Sequence, residues 1–324
     1  MIATTPSDAR RRTPEASPNK TKRLFCWSGG GLPGLDIHAG IWKALTELGI
    51  TPTANAGTSA GAIMAAFCSA GIAQSDIERI LRSLSDNEVR AERFAWKVRA
   101  LWIDWFLDNA PIRAILAKLL PERWMDLRRP LSVVATRVRD GKQTVFSGPS
   151  SGVRCPSSDF VPLRDAVLAS MSISGVFPHV DILGEDYADG GVRANLPLPA
   201  NWREFDEIYL LIASRPVDYR PSGQRSEVRS QKSEDAPPER AAHGLLTRLM
   251  LNLDWYALDQ IEDTCTLVQD EHKCLRGPRF HIIWPAIGRE AGALRFRHEF
   301  IDVAYQQTIH QFKPESALSV ERKA

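Results

Sequence analysis

The chain has 324 residues, of which 44% are hydrophobic and 25% are charged, and its formal net charge is +2 at pH 7. This size and composition are typical of a globular protein with one large α/β domain or two smaller ones, and the near-balanced charge gives no support for nucleic-acid binding. The 5 cysteines share no CxxC spacing, which argues against a disulfide framework or a zinc ribbon and favours reduced thiols in the cytoplasm.

The N-terminal segment, residues 1–22, is basic and has no apolar stretch after its arginines. We therefore expect a disordered tail and not a signal peptide. No uninterrupted apolar run reaches the length of about 18 residues that suggests a transmembrane helix, so none is expected. These features predict a cytoplasmic protein, and any membrane association is expected to be peripheral.

Strand-like and helix-like patterns alternate along the first part of the chain. The predicted elements are a strand at Arg23–Ser28, a helix at Leu35–Leu48 that ends at Gly49, a strand at Thr53–Ala56, a helix at Ser59–Ala70 that ends at Gly71, and a helix capped by Ser75 or Asp76 that runs to Leu84. Residues 88–120 are predicted to be helical and are rich in tryptophan.

The second part of the chain continues the alternation. The predicted elements are a β-hairpin over 131–148 with its turn at Asp140 and Gly141, a helix at Leu163–Ile173, a strand at Glu207–Ala213, a strand at 280–287 and a final helix from His298 to Phe312. We predict one domain over 23–315 with a helical insert at 88–128, a mobile surface insertion at 216–241 and a C-terminal tail at 316–324. The alternation favours a layered, largely parallel α/β sheet.

Residues 57–61 form the pattern G-x-S-x-G, with Ser59 between Gly57 and Gly61. This pattern is typical of a nucleophile elbow, in which a serine lies on a sharp turn between a strand and a helix. Unpaired N–H groups and the dipole at the helix N-terminus would favour negative charge beside Ser59. The alternative is a close-packed turn with a surface serine, because small-residue turns also produce the pattern by chance.

A run of three glycines, Gly29 to Gly31, lies between the first strand and the first helix, and Gly34 follows. The spacing satisfies the G-x-G-x-x-G pattern of dinucleotide-binding proteins, but no carboxylate lies about 20 residues downstream to bind a ribose. A phosphate-binding Walker loop would need Gly-Lys-Ser/Thr, which is absent. The remaining interpretation is a run of backbone N–H groups that stabilises an oxyanion in acyl transfer.

A serine nucleophile needs a base, and Asp189 is a candidate. It follows a predicted strand and precedes Gly190 and Gly191, so its carboxyl group lies on a tight turn, although Asp-Gly is a common turn sequence and weak evidence alone. None of the 7 histidines lies in the kind of loop motif that a triad shows. A Ser–His–Asp hydrolase that uses His179 or His281 stays an alternative.

Three motifs, in this order, resemble the patatin-like phospholipase family: SGGGLPG at 28–34, GTSAG at 57–61 and DGG at 189–191. ASMSISGVFPHV at 169–180 and NLPLPA at 195–200 are similar to segments that flank the family's aspartate. The resemblance extends from about Lys22 to Ile212 and continues more faintly through the C-terminal helix. It implies an α/β fold of the patatin-like kind, a layered sandwich with a mostly parallel central sheet flanked by helices and with a helical insert.

The resemblance also implies residue roles. Ser59 would be the nucleophile and Asp189 the general base of a dyad, with no metal and no cofactor. The implied oxyanion-hole donors are Gly29, Gly30, Gly31 and Ala60, and the supporting motif glycines are Gly34, Gly57, Gly61, Gly190 and Gly191. Pro33 stands where the family commonly has Lys or Arg, and Ser28 where an acidic residue is frequent. These departures put catalytic efficiency or head-group preference in question.

The implied activity is hydrolysis of a phospholipid or another acyl-ester lipid, of the phospholipase A or lysophospholipase kind, through an acyl-enzyme intermediate. Acyl transfer or thioesterase-like activity on the same dyad, and a catalytically inert lipid-binding scaffold, stay open as alternatives. The tryptophan-rich segment would either make transient contact with a membrane surface or pack its apolar face on the core. The tryptophans of residues 88–124 are Trp96, Trp102, Trp105 and Trp124.

Overall fold

A computed structural model of the chain describes residues 21–89, 91–92, 107–148, 160–213, 260–268, 277–287 and 296–313. The strands are β1 (Arg23–Trp27), β2 (Ala54–Thr58), β3 (Ala91–Glu92), β4 (Leu107–Asp108), β5 (Leu131–Arg137), β6 (Gln143–Ser147), β7 (Val180–Ile182), β8 (Glu185–Asp189), β9 (Glu207–Leu211) and β10 (Arg279–Ile283). The helices are α1 (Gly31–Glu47), α2 (Ala60–Ala70), α3 (Gln74–Ser83), α4 (Asp86–Val89), α5 (Ala110–Leu119), α6 (Leu163–Ser170), α7 (260–268) and α8 (Glu299–Phe312).

The central sheet has eight strands within the described part of the chain, in the order β10-β9-β1-β2-β5-β8-β7, with β6 paired to the other edge of β5. Neighbouring strands from β10 to β5 run parallel, whereas β6, β7 and β8 pair antiparallel. The prediction of a layered α/β fold with a mostly parallel sheet is confirmed, and an antiparallel extension completes one end. The predicted hairpin over 131–148 is confirmed: it consists of β5 and β6, and Gly141 in its turn has φ 64°.

Both faces of the parallel part of the sheet are buried. Phe25 and Trp27 of β1 pack into the larger apolar cluster, with α1 and α2, while Leu24 and Cys26 pack into a smaller cluster. Successive residues of a strand point to opposite faces, so the two clusters lie on opposite sides of the sheet. Cys26 and Cys68 are buried free thiols.

Some helix boundaries differ from the predictions. α1 begins at Gly31, earlier than the predicted Leu35, because the glycine run itself enters the first helical turn. α3 begins at Gln74 and has no side-chain cap, so the prediction that Ser75 or Asp76 caps this helix is wrong.

The prediction of a helix over 88–120 is wrong at 91–92 and at 107–108, which are strands, and residues 93–106 lie outside the described part of the chain. Strands β3 and β4 form a two-stranded antiparallel ribbon between α4 and α5. The N–H of Leu107 in β4 donates to the carbonyl oxygen of Val176 at 2.8 Å, which ties this ribbon to the segment that follows α6. The long-range hydrogen bond holds extended backbone where the local pattern favours a helix.

Several predicted features lie outside the described residues, namely the tail up to residue 20, Trp96, Trp102, Trp105, the insertion at 216–241 and the C-terminal tail at 316–324. Trp124 is described, and it is a core residue. Its ring is 5% exposed, and its Nε1 donates to the carbonyl oxygen of Val161 at 2.9 Å. In the described part of the chain, no helix combines the length and the apolar character needed to span a membrane.

Candidate active site

Ser59 lies at the turn between β2 and α2, with φ 55° and ψ −125°. A positive φ is uncommon for a residue other than glycine and indicates a strained turn. The residue is 7% exposed and lies directly before the first turn of α2. This is the turn geometry that the G-x-S-x-G pattern predicts.

Close packing requires the two glycines of this turn. A Cβ atom on Gly61 would overlap with the carbonyl oxygens of Trp27 and Ser28, and a Cβ atom on Gly57 would lie 2.5 Å from the Gly61 oxygen. The start of α2 can therefore approach the end of β1 only because Gly61 lacks a side chain, and it can approach the end of β2 only because Gly57 does. The approach brings the turn at Ser59 close to the glycine run at the start of α1, where a Cβ atom on Gly29 would lie 3.3 Å from the Cβ of Ser59.

Ser170, the last residue of α6, supports the turn at Ser59. Its Oγ accepts a hydrogen bond from the Ser59 N–H at 2.9 Å and donates to the carbonyl oxygen of Val134 at 2.5 Å. Ser170 is fully buried. One hydroxyl group thus connects the turn at Ser59 to β5 and holds the backbone in its strained conformation.

The sheet brings Ser59 and Asp189 together from opposite directions. Thr58, the last residue of β2, pairs with Val134 of β5. Asp189, the last residue of β8, pairs with the next residue of β5, Ala135. Strands β2 and β8 share one edge of β5 and run towards each other, so their carboxyl ends meet there.

Three hydrogen bonds fix Asp189. Its N–H donates to the carbonyl oxygen of Ser172 at 2.9 Å, and its own carbonyl oxygen accepts from Thr136 Oγ1 at 2.9 Å. Its carboxyl Oδ1 accepts from the Gly191 N–H at 2.6 Å. Oδ2 is buried and lacks a hydrogen bond of ordinary geometry among the described residues. The carboxyl group is therefore held in place with one oxygen available.

Burial raises the pKa of Asp189 to about 6, because a desolvated site disfavours the ionised form. Hydrogen bonding with the Ser59 hydroxyl group and with the Gly191 N–H lowers the pKa and partly opposes this effect. The contact between the Ser59 hydroxyl group and Asp189 falls outside ordinary hydrogen-bond geometry, because hydrogen bonds between catalytic groups are often long or poorly aligned in substrate-free sites. With this pKa, Asp189 is mostly ionised at neutral pH and is a stronger base than an exposed carboxylate.

The glycine run forms the start of α1. Gly31 is the first helical residue and has φ 64°, and the N–H groups of a first helical turn have no partner within their helix. The Gly29 N–H differs, because it donates to the carbonyl oxygen of Asn195 at 2.9 Å. Of the predicted donors, Gly30, Gly31 and Ala60 therefore lie at helix starts, whereas the Gly29 N–H is already engaged.

The departures from the family pattern fit the structure. Pro33 lies in the first turn of α1, where a missing N–H leaves no hydrogen bond unmade. The Ser28 Oγ accepts a hydrogen bond from the Ala213 N–H at 2.9 Å.

Of the supporting glycines, Gly190 is required by packing, because a Cβ atom there would overlap with the Val134 carbonyl oxygen. At Gly34 the atom nearest to an added Cβ would lie 3.5 Å away, so a side chain could be accommodated.

An apolar pocket opens beside Ser59. Its lining includes Gly31, Ser59 and Ala60, and every other lining residue has an apolar side chain. These side chains come from α1, α2, α3 and α5, from the segment after α6 and from Phe296. The empty space in the pocket, together with the open solvent at its mouth, is about 840 Å³. Its lining suits an aliphatic chain, and Ser59 is the polar side chain among the lining residues.

The histidines considered as alternative bases make their described contacts elsewhere. His179 is exposed and contacts Ser174 Oγ at 3.1 Å. The ring of His281 stacks on Tyr209 with ring centroids 4.4 Å apart. Neither contact involves the turn at Ser59.

Ser170, Asn195 and His38 support the site and are not predicted from the sequence. Ser170 and His38 are fully buried polar residues in mostly apolar helices. Such a residue is a weak signal, because a buried polar side chain more often satisfies a neighbouring backbone group than serves a reaction. Their hydrogen-bond partners come from other elements, which a single sequence does not reveal.

Comparisons with known proteins agree with the motifs. A family model described as patatin-like phospholipase matches residues 25–202. The uncharacterised protein YqhO of Bacillus subtilis is 28% identical over 189 residues, which cover 53% of this chain and 64% of the relative. An uncharacterised NTE family protein of Mycobacterium tuberculosis is 27% identical over 238 residues, which cover 73% of this chain and 36% of the relative. The chain thus spans less than two thirds of the length of each.

Two solved structures are also similar to this chain. VipD from Legionella pneumophila aligns with a TM-score of 0.41 and 20% identity, over 59% of this chain and 50% of VipD. Human GIVD cytosolic phospholipase A2, solved in complex with methyl gamma-linolenyl fluorophosphonate, aligns with a TM-score of 0.38 and 12% identity, over 94% of this chain and 59% of that chain.

Proposed function

Because the chain belongs to the patatin-like phospholipase family, we propose that it hydrolyses lipid carboxylic esters with a dyad of Ser59 and Asp189. Membership supports lipid acyl hydrolysis in general. The observation that carries the specific proposal is the apolar pocket, whose lining includes Ser59 together with Gly31 and Ala60. An acyl chain in this pocket would bring its carbonyl carbon to the hydroxyl group.

In the first half of the reaction, Asp189 accepts the proton of the Ser59 hydroxyl group while Oγ attacks the ester carbonyl carbon. The tetrahedral intermediate then collapses. The C–O bond to the alcohol breaks, and the alcohol leaves with the proton held by Asp189. The acyl group stays on Ser59 as an ester.

In the second half, Asp189 accepts a proton from a water molecule, and the oxygen of that water attacks the acyl-enzyme. Collapse of the second intermediate releases the fatty acid and returns the proton to Ser59. Burial assists both steps, since a base with a pKa of about 6 takes a proton more readily than an ordinary carboxylate and is still ionised at pH 7.

The N–H groups of Gly30, Gly31 and Ala60 are the proposed oxyanion donors. They lie at the starts of α1 and α2, where the aligned peptide dipoles favour negative charge. Gly29 is the weakest of the predicted donors, since its N–H already binds Asn195. Loss of one such donor typically lowers the rate by a factor of about 10²–10³.

The test is turnover by the purified chain of p-nitrophenyl esters and of phosphatidylcholine vesicles, with free fatty acid as the measured product. We expect Ser59→Ala and Asp189→Asn to lower kcat by about 10³-fold or more while circular dichroism stays unchanged. Ser83→Ala, which alters an exposed serine on α3, is the matched control and should keep wild-type turnover.

Three outcomes would contradict the proposal. Turnover by Ser59→Ala at the wild-type rate would show that Ser59 is not the nucleophile. Lipid binding without any turnover by the wild type would favour the inert scaffold. Acyl transfer to added glycerol with no free fatty acid would favour an acyltransferase on the same dyad.

A further inference from the structure

The peptide unit between Ser28 and Gly29 is held at both of its polar ends. The Ser28 carbonyl oxygen accepts from His38 Nε2 at 2.8 Å, and the Gly29 N–H donates to the Asn195 carbonyl oxygen at 2.9 Å. All four residues are buried. Two opposed hydrogen bonds fix the plane of a peptide unit, and this one directly precedes the amides of Gly30 and Gly31.

We infer that His38 is a positioning residue, which aims the amides of Gly30 and Gly31 at the oxyanion by holding the Ser28 carbonyl group. The inference rests on the function proposed above, because an oxyanion forms only if the acyl transfer takes place. His38 does not touch the substrate. It lies in α1 and is not among the residues that line the pocket, whereas Gly31 and Leu35 of the same helix are.

The surroundings of His38 define its chemical form. Nε2 must carry the proton, because it faces a carbonyl oxygen, which can only accept. Nδ1 is then an acceptor, and it is buried with no partner among the described residues. Burial lowers the pKa of His38 to about 4, so the ring is neutral at pH 7. A neutral ring whose only proton is donated to Ser28 is a fixed donor and not an acid or a base.

The environment of His38 favours a functional reason for the residue over a packing reason. The ring is 0% exposed and lies edge-on to Trp27, with ring centroids 5.4 Å apart, so an aromatic hydrocarbon ring would pack there as well. An unpaired buried Nδ1 destabilises the folded protein. Phenylalanine has no N–H, so of the contacts of His38 described here it could not make the hydrogen bond to the Ser28 carbonyl oxygen.

Two substitutions separate the hydrogen bond from the packing. His38→Phe keeps a ring and removes the donor, whereas His38→Gln removes the ring and keeps an N–H donor at a similar reach. His38→Phe exchanges one unpaired buried acceptor, Nδ1, for another, the Ser28 oxygen, so we expect its melting temperature to stay near that of the wild type.

The assay is kcat and KM for p-nitrophenyl ester hydrolysis, together with the second-order rate of Ser59 labelling by a fluorophosphonate. We expect His38→Phe to lower kcat and the labelling rate by about 10–100-fold with KM within about twofold, since misplaced donors affect the transition state more than the bound substrate. His38→Gln should recover most of the lost rate.

Several outcomes would overturn the inference. Wild-type kcat in His38→Phe would show that the hydrogen bond does not aim the loop. If a folded His38→Gln variant loses as much kcat as His38→Phe, the packing of the ring matters and not the hydrogen bond. If kcat falls in His38→Phe only in proportion to a lower melting temperature, the role of His38 is structural. If the wild type labels at Ser59 and these patterns fail, only the role of His38 is wrong. If the wild type neither labels nor turns over ester, the proposed function fails and the role of His38 fails with it.

Discussion

Replacing the proposed base should make the protein more stable at neutral pH while it abolishes turnover. Burial holds the pKa of Asp189 at about 6, against a usual value of 3.8. The folded protein therefore binds this proton more tightly than the unfolded chain does. The stability that comes from this difference is fully present below about pH 4 and is lost as the pH rises through about 6.

The size of the effect follows from the shift in pKa. Each pKa unit corresponds to about 1.4 kcal/mol, so ionised Asp189 destabilises the folded state by about 2–3 kcal/mol above pH 6, relative to its protonated form. Asparagine at this position keeps an oxygen acceptor for the Gly191 N–H and cannot ionise. The advantage of Asp189→Asn over the wild type should therefore grow by about 2–3 kcal/mol between about pH 4 and about pH 7.5.

Urea unfolding of both proteins at the two pH values measures this growth, and contributions from other titrating groups cancel in the difference. Asp186→Asn, which alters an exposed carboxyl group on the same strand, is the control and should show no such growth. An advantage of Asp189→Asn that is the same at both pH values would refute the reasoning, because Asp189 would then not be a desolvated carboxylate that ionises near pH 6.

Three further predictions follow from the geometry of the site. Because Asp189 must be ionised to act as a base, fluorophosphonate labelling measured by mass spectrometry should speed up through about pH 6 and then level off; a flat profile would contradict this. Gly61→Ala should destabilise the fold by more than about 3 kcal/mol in thermal and urea unfolding, whereas Gly34→Ala, where the nearest atom is 3.5 Å from the new Cβ, should fold normally. Ile115→Trp should narrow the pocket and shift the ratio of kcat/KM about tenfold towards shorter acyl esters, whereas Lys118→Trp on the exposed face of the same helix should leave the ratio unchanged.

The local parts of the site were predictable from sequence because each is encoded within a few residues. Gly57 and Gly61 lie two residues before and after Ser59, and close packing of this turn requires both glycines. Gly190 directly follows Asp189 and is also required by packing. The buried strand β9 was predictable because its residues are apolar on both faces.

The non-local parts were not predictable from a single sequence. Strand β8, with the sequence EDYAD, pairs antiparallel with the last residues of β5, and its polar residues give no sign of that partner. The hydrogen bond between the Ser59 N–H and Ser170 Oγ joins the start of α2 to the end of α6, which are far apart in the chain. Extended backbone at 91–92 and 107–108 depends likewise on pairing across an intervening segment. Pairing energies of this kind override local helix propensity.

The most direct test of the proposed dyad is intact-protein mass spectrometry after incubation with a fluorophosphonate, for the wild type, Ser59→Ala and Asp189→Asn. We predict one adduct on the wild type, none on Ser59→Ala and a labelling rate at least about 10²-fold lower on Asp189→Asn. An adduct on Ser59→Ala equal to that on the wild type, or no adduct on a folded wild type, would contradict an activated serine at this turn.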